Sequence, residues 1–272
     1  MRALSIAAAL TFVLCAAPSL AAEPVVAVWY RGTPAGTPRL DDLAAIKAAG
    51  FGAITWPTGN AGALADASRL AETVGLVVVI QPDGRAVPAL DGRINVDVTR
   101  RRAAEIPAVV WRAVATGVRT ISFDPGPTQG TGLDRPDGRR RDWVAPAVAI
   151  ARQLSANAEL IAEIRHVVTP EFLSSRPPSL HVELLEGSRA WVIIATNTGR
   201  ARARTEVALP RGVPYAIWVS LLDASTIAML DRPTGARWQF ELDAGAAAVY
   251  VIDKVMPSFA ELGASYCLNV RL

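Results

Sequence analysis

Three aspartates stand where a strand would hand a carboxylate to solvent. Asp124 directly follows the apolar run at residues 119–123 and precedes Pro125-Gly126, Asp97 sits inside INVDV, and Asp83 follows LVVVIQ at residues 76–81. In α/β folds the C-terminal tips of parallel strands form the face where ligands bind and chemistry happens. Cleaving a glycosidic bond needs two carboxyl groups flanking it, one acid and one base or nucleophile. Asp124 and Asp97 are the candidate catalytic pair, and Asp83 is a candidate substrate contact, although Asp-Gly is also an ordinary turn pair. Trp29, Tyr30, Arg31 and Trp56 lie near strand ends as well. Aromatic faces stack on the apolar faces of sugars, and an arginine can hold a carboxylate or sugar hydroxyls. The competing roles are core filling for the rings and a solvated loop position for Arg31.

Other chemistries have little to build on. The two histidines, His166 and His181, are not in a metal-ligand spacing, so no metal or cofactor is expected. There is no Gly-x-Ser-x-Gly elbow, no phosphate-binding glycine loop and no dinucleotide fingerprint.

The candidate residues need strands to carry them, and the patterning supplies these. The sequence predicts strands at 25–30, 53–56, 76–81, 94–98 and 119–123, with helices at 40–49, 61–74, 101–116 and 143–164 between and after them. Pro107 is a candidate distortion in the third helix. The alternation of strand and helix marks a parallel α/β fold, and right-handed crossovers set every strand C-terminus on one side. Beyond residue 166 the character changes. Residues 167–179 are Pro- and Ser-rich and read as a linker. Short alternating runs from 180 to 254, separated by turn pairs, read as a small antiparallel β-sandwich. Residues 255–272 show no period and read as a disordered tail.

The whole chain has 272 residues, is 51% hydrophobic and 19% charged, and carries a formal charge of +3. That composition suffices for a sizeable core. The arginine clusters at 100–102 and 139–141 are too short to argue for nucleic acid. Residues 1–21 read as a signal peptide: Arg2, an apolar run, then small residues before the cleavage site. The run is shorter than the roughly 20 residues a membrane span needs, so a secreted or periplasmic protein without stable membrane insertion is expected. Removal of the leader leaves Cys267 alone, with no internal disulfide.

Three stretches resemble secreted glycoside hydrolases of the β-galactosidase-related (β/α)-barrel type. They are LDDLAAIKAAGFGAITWP (40–57), VVWRAVATGVRTISFDPG (109–126) with the helix after it, and AWVIIATNTGRAR through FELDAGAAAVYVID (190–253). The first looks like an early helix and strand of the barrel, the second like its last strand and closing helix. The third looks like the all-β domain that often follows. The resemblance implies a carbohydrate partner, a glycan or small sugar. A full barrel needs eight strands, and only four or five are countable before Asp124. No strand ends in Asn-Glu or a lone Glu, so the family's catalytic pair maps onto no residue here.

The expected fold is therefore α/β: a reduced or incomplete (β/α) barrel at 22–166, followed by the small β-sandwich. Two functions stay open: glycosidic hydrolysis through rim carboxylates including Asp124, or a non-catalytic remnant that binds glycan or serves as a structural partner. An open barrel exposes sheet edges, which predicts a homodimer or a β-domain packed over the gap.

Overall fold

The computed structural model describes residues 23–33, 35–57, 61–81, 92–127, 130–208, 217–220, 226–229 and 237–254. Residues 1–22, Asp83 and residues 255–272, which include the stretches read as a signal peptide and a tail, lie outside the described residues.

The first part runs β1 (Val25–Trp29), α1 (Leu40–Ala49), β2 (Ala53–Pro57), α2 (Ala61–Thr73), β3 (Val77–Gln81), β4 (Arg93–Asp97), α3 (Ile106–Ala115) and β5 (Thr120–Asp124). The five strands form one parallel sheet in the order β3-β2-β1-β5-β4. Local chemistry sets the boundaries. Asp41 and Asp42 sit in the first turn of α1, where the helix dipole favours negative charge. Gly50 ends that helix at φ 105°, a left-handed conformation that suits glycine, and its N–H reaches the carbonyls of Ile46 and Lys47. Pro107 falls in the first turn of α3, where no amide hydrogen is needed, so it starts the helix and does not distort it.

The two faces of the parallel sheet differ sharply. Register partners in a parallel ladder point to the same side, and side chains alternate along each strand. One face therefore carries Val26, Val28, Tyr30, Ile54, Trp56, Val96, Ile121 and Phe123, all buried in the main core against the helices. Phe123 stacks on Trp143 at 6.0 Å and meets Phe51 edge-on at 6.3 Å. The other face carries Ala27 and Trp29, Ala53 and Thr55, Asn95 and Asp97, and Ser122 and Asp124.

That second face is concave. Thr55 on β2 and Ser122 on β5 are separated by β1, so a flat sheet would hold them roughly 9–10 Å apart. Their hydroxyls instead hydrogen-bond at 2.6 Å, with both residues buried. Trp29 Nε1 likewise donates across β5 to Asn95 Oδ1 at 2.9 Å. At the two ends of the strand order, Arg93 of β4 donates to the Ile80 carbonyl of β3 at 3.2 Å, a side-chain bridge between edge strands.

The helix expected over 143–164 is broken in two: α4 (Val144–Ala156) and α5 (Ala158–Glu163). Asn157 sits at the break with non-helical dihedrals, and its side chain donates to the Gln153 carbonyl at 2.8 Å. An asparagine that competes for a backbone carbonyl in this way favours termination.

The remaining strands are β6 (Arg165–Val168), β7 (Glu171–Phe172), β8 (Leu180–Glu186), β9 (Ala190–Asn197), β10 (Ala203–Ala208), β11 (Ile217–Ser220), β12 (Thr226–Met229), β13 (Arg237–Leu242) and β14 (Ala247–Asp253). They form an antiparallel six-stranded sheet, β12-β11-β14-β9-β8-β6, and a three-stranded one, β13-β10-β7. The stretch read as a linker is no spacer. It supplies all of β7, which pairs Phe172 with Val207, while β6 straddles its start. Its serines are occupied too: Ser174 Oγ accepts from the Glu206 amide at 2.8 Å.

Alternation along β9 explains why both sheets are needed. Ile193 and Ala195 join the core shared with the three-stranded sheet, whereas Val192 and Ile194 join the main core with α3. The antiparallel part thus packs on α3. Arg119 reinforces the junction. Its guanidinium donates to the Val114 and Val118 carbonyls at 3.2 and 3.0 Å and to the Ile164 carbonyl at 3.0 Å. It therefore clamps the ends of α3 and α5, where helix dipoles favour a cation.

Trp111, fully buried on α3, is central to this shared core. Trp111→Ala should cost about 3–5 kcal/mol. Trp111→Phe should cost less, because the indole N–H has no acceptor among the described residues. Urea unfolding followed by near- and far-ultraviolet circular dichroism checks both. The two probes should report one coincident transition, and two separated transitions would contradict a core shared between α/β and β parts.

Candidate active site

The C-terminal edge of the concave face gathers the candidate residues. Arg31, two residues past the end of β1, has the same alternation as Trp29 and leans over the mouth of the curl. Its Nη2 donates to both carboxylate oxygens of Asp124, at 2.9 and 3.0 Å, and its Nη1 donates to the Gly126 carbonyl at 2.6 Å. The guanidinium also lies over the Trp29 ring, 5.0 Å from its centroid. Asp124 receives a further bond from the Gly126 amide at 2.9 Å. The pair is partly open to solvent, with side-chain exposures of 33% for Arg31 and 18% for Asp124.

Asp97 is the register partner of Asp124 on the neighbouring strand, so the two carboxylates leave the same face at the same level. Asp97 is held differently. Its Oδ1 accepts from the Thr99 hydroxyl at 2.6 Å and the Thr99 amide at 3.0 Å, and its Oδ2 lies 3.2 Å from Arg100. These contacts, the Thr99 hydroxyl first, then the Thr99 amide and the Arg100 charge, hold the Asp97 carboxyl below the ordinary aspartate value.

Tyr30 and Trp56, expected as sugar platforms, are elsewhere. Both are buried on the helix-facing side, 5.6 Å apart. The cause is the two-residue period of a strand: neighbours of Trp29 and Thr55 in the chain point away from the concave face. The Tyr30 hydroxyl donates to Asp42 and accepts from the Arg39 amide, both at 2.9 Å. Burial pushes its pKa well above the usual tyrosine range, which fits a fixed structural hydroxyl. Trp29 is only 7% exposed. It backs Arg31 and anchors Asn95, so it is a support for the rim more than a free stacking surface.

Thr55, Asn95 and Ser122 also border the site, although none of them stands at a strand end. Their signal is in the sequence nonetheless. AITWP, RINVD and TISFD each alternate a polar residue into an otherwise apolar strand, and parallel strands buried on both faces by helices show no such alternation. Among the described residues, no three His, Cys, Asp or Glu side chains come together as metal ligands. His166 instead bonds Glu183 at 2.8 Å. No described helix is long and apolar enough to cross a membrane.

No protein-family model and no curated protein matches the sequence. Solved structures superpose in part. An endoxylanase of glycoside hydrolase family 30 from Clostridium papyrosolvens is 9% identical, with 85% of this chain and 97% of that one covered, at a TM-score of 0.40. A family 27 β-L-arabinopyranosidase from Geobacillus stearothermophilus is 8% identical over 79% and 61%, at 0.41. An α-amylase from Geobacillus thermoleovorans is 9% identical over 78% and 62%, at 0.43. The chain thus spans nearly all of the first and less than two thirds of the other two.

A carboxyl held low in the folded state stabilises the fold above its unfolded pKa. That contribution disappears as pH falls through the lower folded value. Asp97→Asn should therefore be less stable than wild type near neutrality, and the difference should shrink as pH drops below about 4. Urea denaturation at a series of pH values measures it. A gap that does not change with pH would mean that Thr99 and Arg100 do not hold Asp97 as a carboxylate.

Proposed function

We propose that this chain is a secreted or periplasmic carbohydrate-binding protein. Its frame is read as a reduced (β/α) barrel with a small antiparallel β-sandwich behind it, and glycan docks on the strand-end rim. The observation that carries the reading is the Arg31–Asp124 pair at the mouth of a polar concavity. A guanidinium beside a carboxylate offers donors and acceptors side by side, which suits vicinal sugar hydroxyls. The carboxylate keeps spare lone pairs, and the guanidinium keeps spare N–H groups. Trp29 and Asn95 hold the pair's surroundings rigid.

A hydrolase is the second reading, and one observation favours it. Asp97 and Asp124 leave adjacent strands side by side, as a two-carboxylate mechanism requires. Against it stands the electrostatics. A general acid must keep its proton near neutral pH, which takes a raised pKa. Asp97 is held low, which does not suit a proton donor. A homodimer belongs to the proposal as well, through the β3 edge where Val77 and Ile80 are exposed. A monomer by light scattering would remove it.

The test is a glycan array beside a panel of aryl glycosides, each with wild type and Asp124→Asn. Glycan binding without turnover, weakened about tenfold or more in the variant, is the expected result. Turnover that vanishes in Asp124→Asn would replace binding with hydrolysis. Neither binding nor turnover would sink the carbohydrate reading and leave a structural role.

A further inference from the structure

A second surface, away from the rim, has the chemistry of an anion site. One stripe of α3 and its C-terminal cap lines this surface: Val109, Arg112 and Thr116, at i, i+3 and i+7, are partly or fully exposed, with Ala113 buried beside them. It floors a groove of about 490 Å³. The turn after β9 walls one side with Thr198 and Arg200, and Arg101 approaches from the segment ahead of α3. Gly245 closes the groove from the turn before β14. A β-carbon there would strike the Ala104 carbonyl and the Glu105 backbone, so that turn is pressed against the start of the helix. Ile94 and Val118 add apolar floor.

The charge in this groove is one-sided. Arg101, Arg112 and Arg200 are all exposed, and none is within 4.0 Å of a carboxylate among the described residues. Elsewhere on the described surface many arginines are paired, including Arg100, Arg102, Arg135, Arg139, Arg140 and Arg202. The one acidic residue of the lining, Glu105, is already taken by Arg102, which donates to it at 2.8 Å. Three guanidiniums held around one concavity by two sheets and a helix concentrate positive potential there. Their planar forks match carboxylate and phosphate oxygens bidentately, and the apolar floor suits the carbon framework of an organic ligand.

We propose that this groove binds an organic oxyanion, carboxylate or phosphate groups on a small carbon skeleton, through Arg101, Arg112 and Arg200. The groove's chemistry is independent of whether the rim takes glycan. The two sources of the anion, an acidic sugar and free phosphate, are separated by the probes.

The experiment is isothermal titration calorimetry on the full chain at low salt with three probes: a trigalacturonate, its neutral trigalactose counterpart, and inorganic phosphate. The expected result is binding of the trigalacturonate and not of the neutral sugar, weakened about tenfold or more in Arg112→Ala and in Arg200→Ala. The affinity should also fall as salt rises. Phosphate binding with the same dependence on the arginines would keep the site and assign it to small oxyanions. Arg112→Lys should restore part of the affinity, and thermal melts should show each variant folded, since all three arginines are exposed. Arg69→Ala, on the exposed face of α2, should leave this binding unchanged. Failure of both anions to bind, binding unchanged in Arg112→Ala and Arg200→Ala, or loss of binding in Arg69→Ala would each overturn the proposal.

Discussion

The structure depends on one helix being buried on two sides. α3 carries Ile106, Ala108, Val110, Trp111, Ala113, Val114 and Ala115, all buried, in ten residues whose only charged side chain is Arg112. A helix so apolar cannot sit on a single sheet, because half its surface would remain in water. It needs a second sheet, and β9 and β14 provide it. β9 in turn reads AWVIIATN, apolar on both faces. Its second face calls for the three-stranded sheet and the Phe240–Tyr250–Trp238 cluster behind it. Each layer's unsatisfied apolar face dictates the next, and the order of layers follows from where the apolar residues lie.

The same logic explains why the concave side of the parallel sheet is free to be polar. The outer face carries the large residues and the helices, and so supplies the burial that holds the sheet. The inner face contributes small residues, Ala27 and Ala53, that permit the curl, and hydroxyls that bond across it. A buried polar pair is tolerable only when both members are satisfied, and Thr55 with Ser122 meets that condition. The bond also pins the curvature, which sets how closely β1, β5 and β4 bring Arg31, Asp124, Asp97 and Asn95 together at the rim.

Much of this was legible in the sequence. Strand and helix boundaries in the first half follow from apolar runs and from Gly50, Pro57 and Gly75, and the strand-end aspartates Asp97 and Asp124 do share a rim. What escaped has identifiable causes. Tyr30 and Trp56 are adjacent to rim residues in the chain but opposite them in space, because a strand's period of two sends chain neighbours to opposite faces. The stretch at 167–179 is rich in Pro and Ser, yet β7 pairs there, because Phe172 finds Val207 across a contact 35 positions along the chain. Composition cannot reveal such a non-local partner. Asn157 broke a helix whose apolar period continues through it, since its amide took a backbone carbonyl that periodicity does not see.

The rim's electrostatics follow from the same placement. Asp97 and Asp124 are neighbours across a parallel ladder, where two unscreened carboxylates would repel and one would be driven to hold a proton. That is the route by which paired carboxylates acquire one raised pKa and one low one. Here each carboxylate has a cation and a backbone amide of its own: Arg31 and Gly126 for Asp124, Arg100 and Thr99 for Asp97. Each carboxylate is thus tied to partners of its own and not to the other. A rim built this way presents two carboxylates in register, each with its own partners. Of the two cations, Arg31 is the more firmly fixed, by Asp124, Gly126 and the face of Trp29 together.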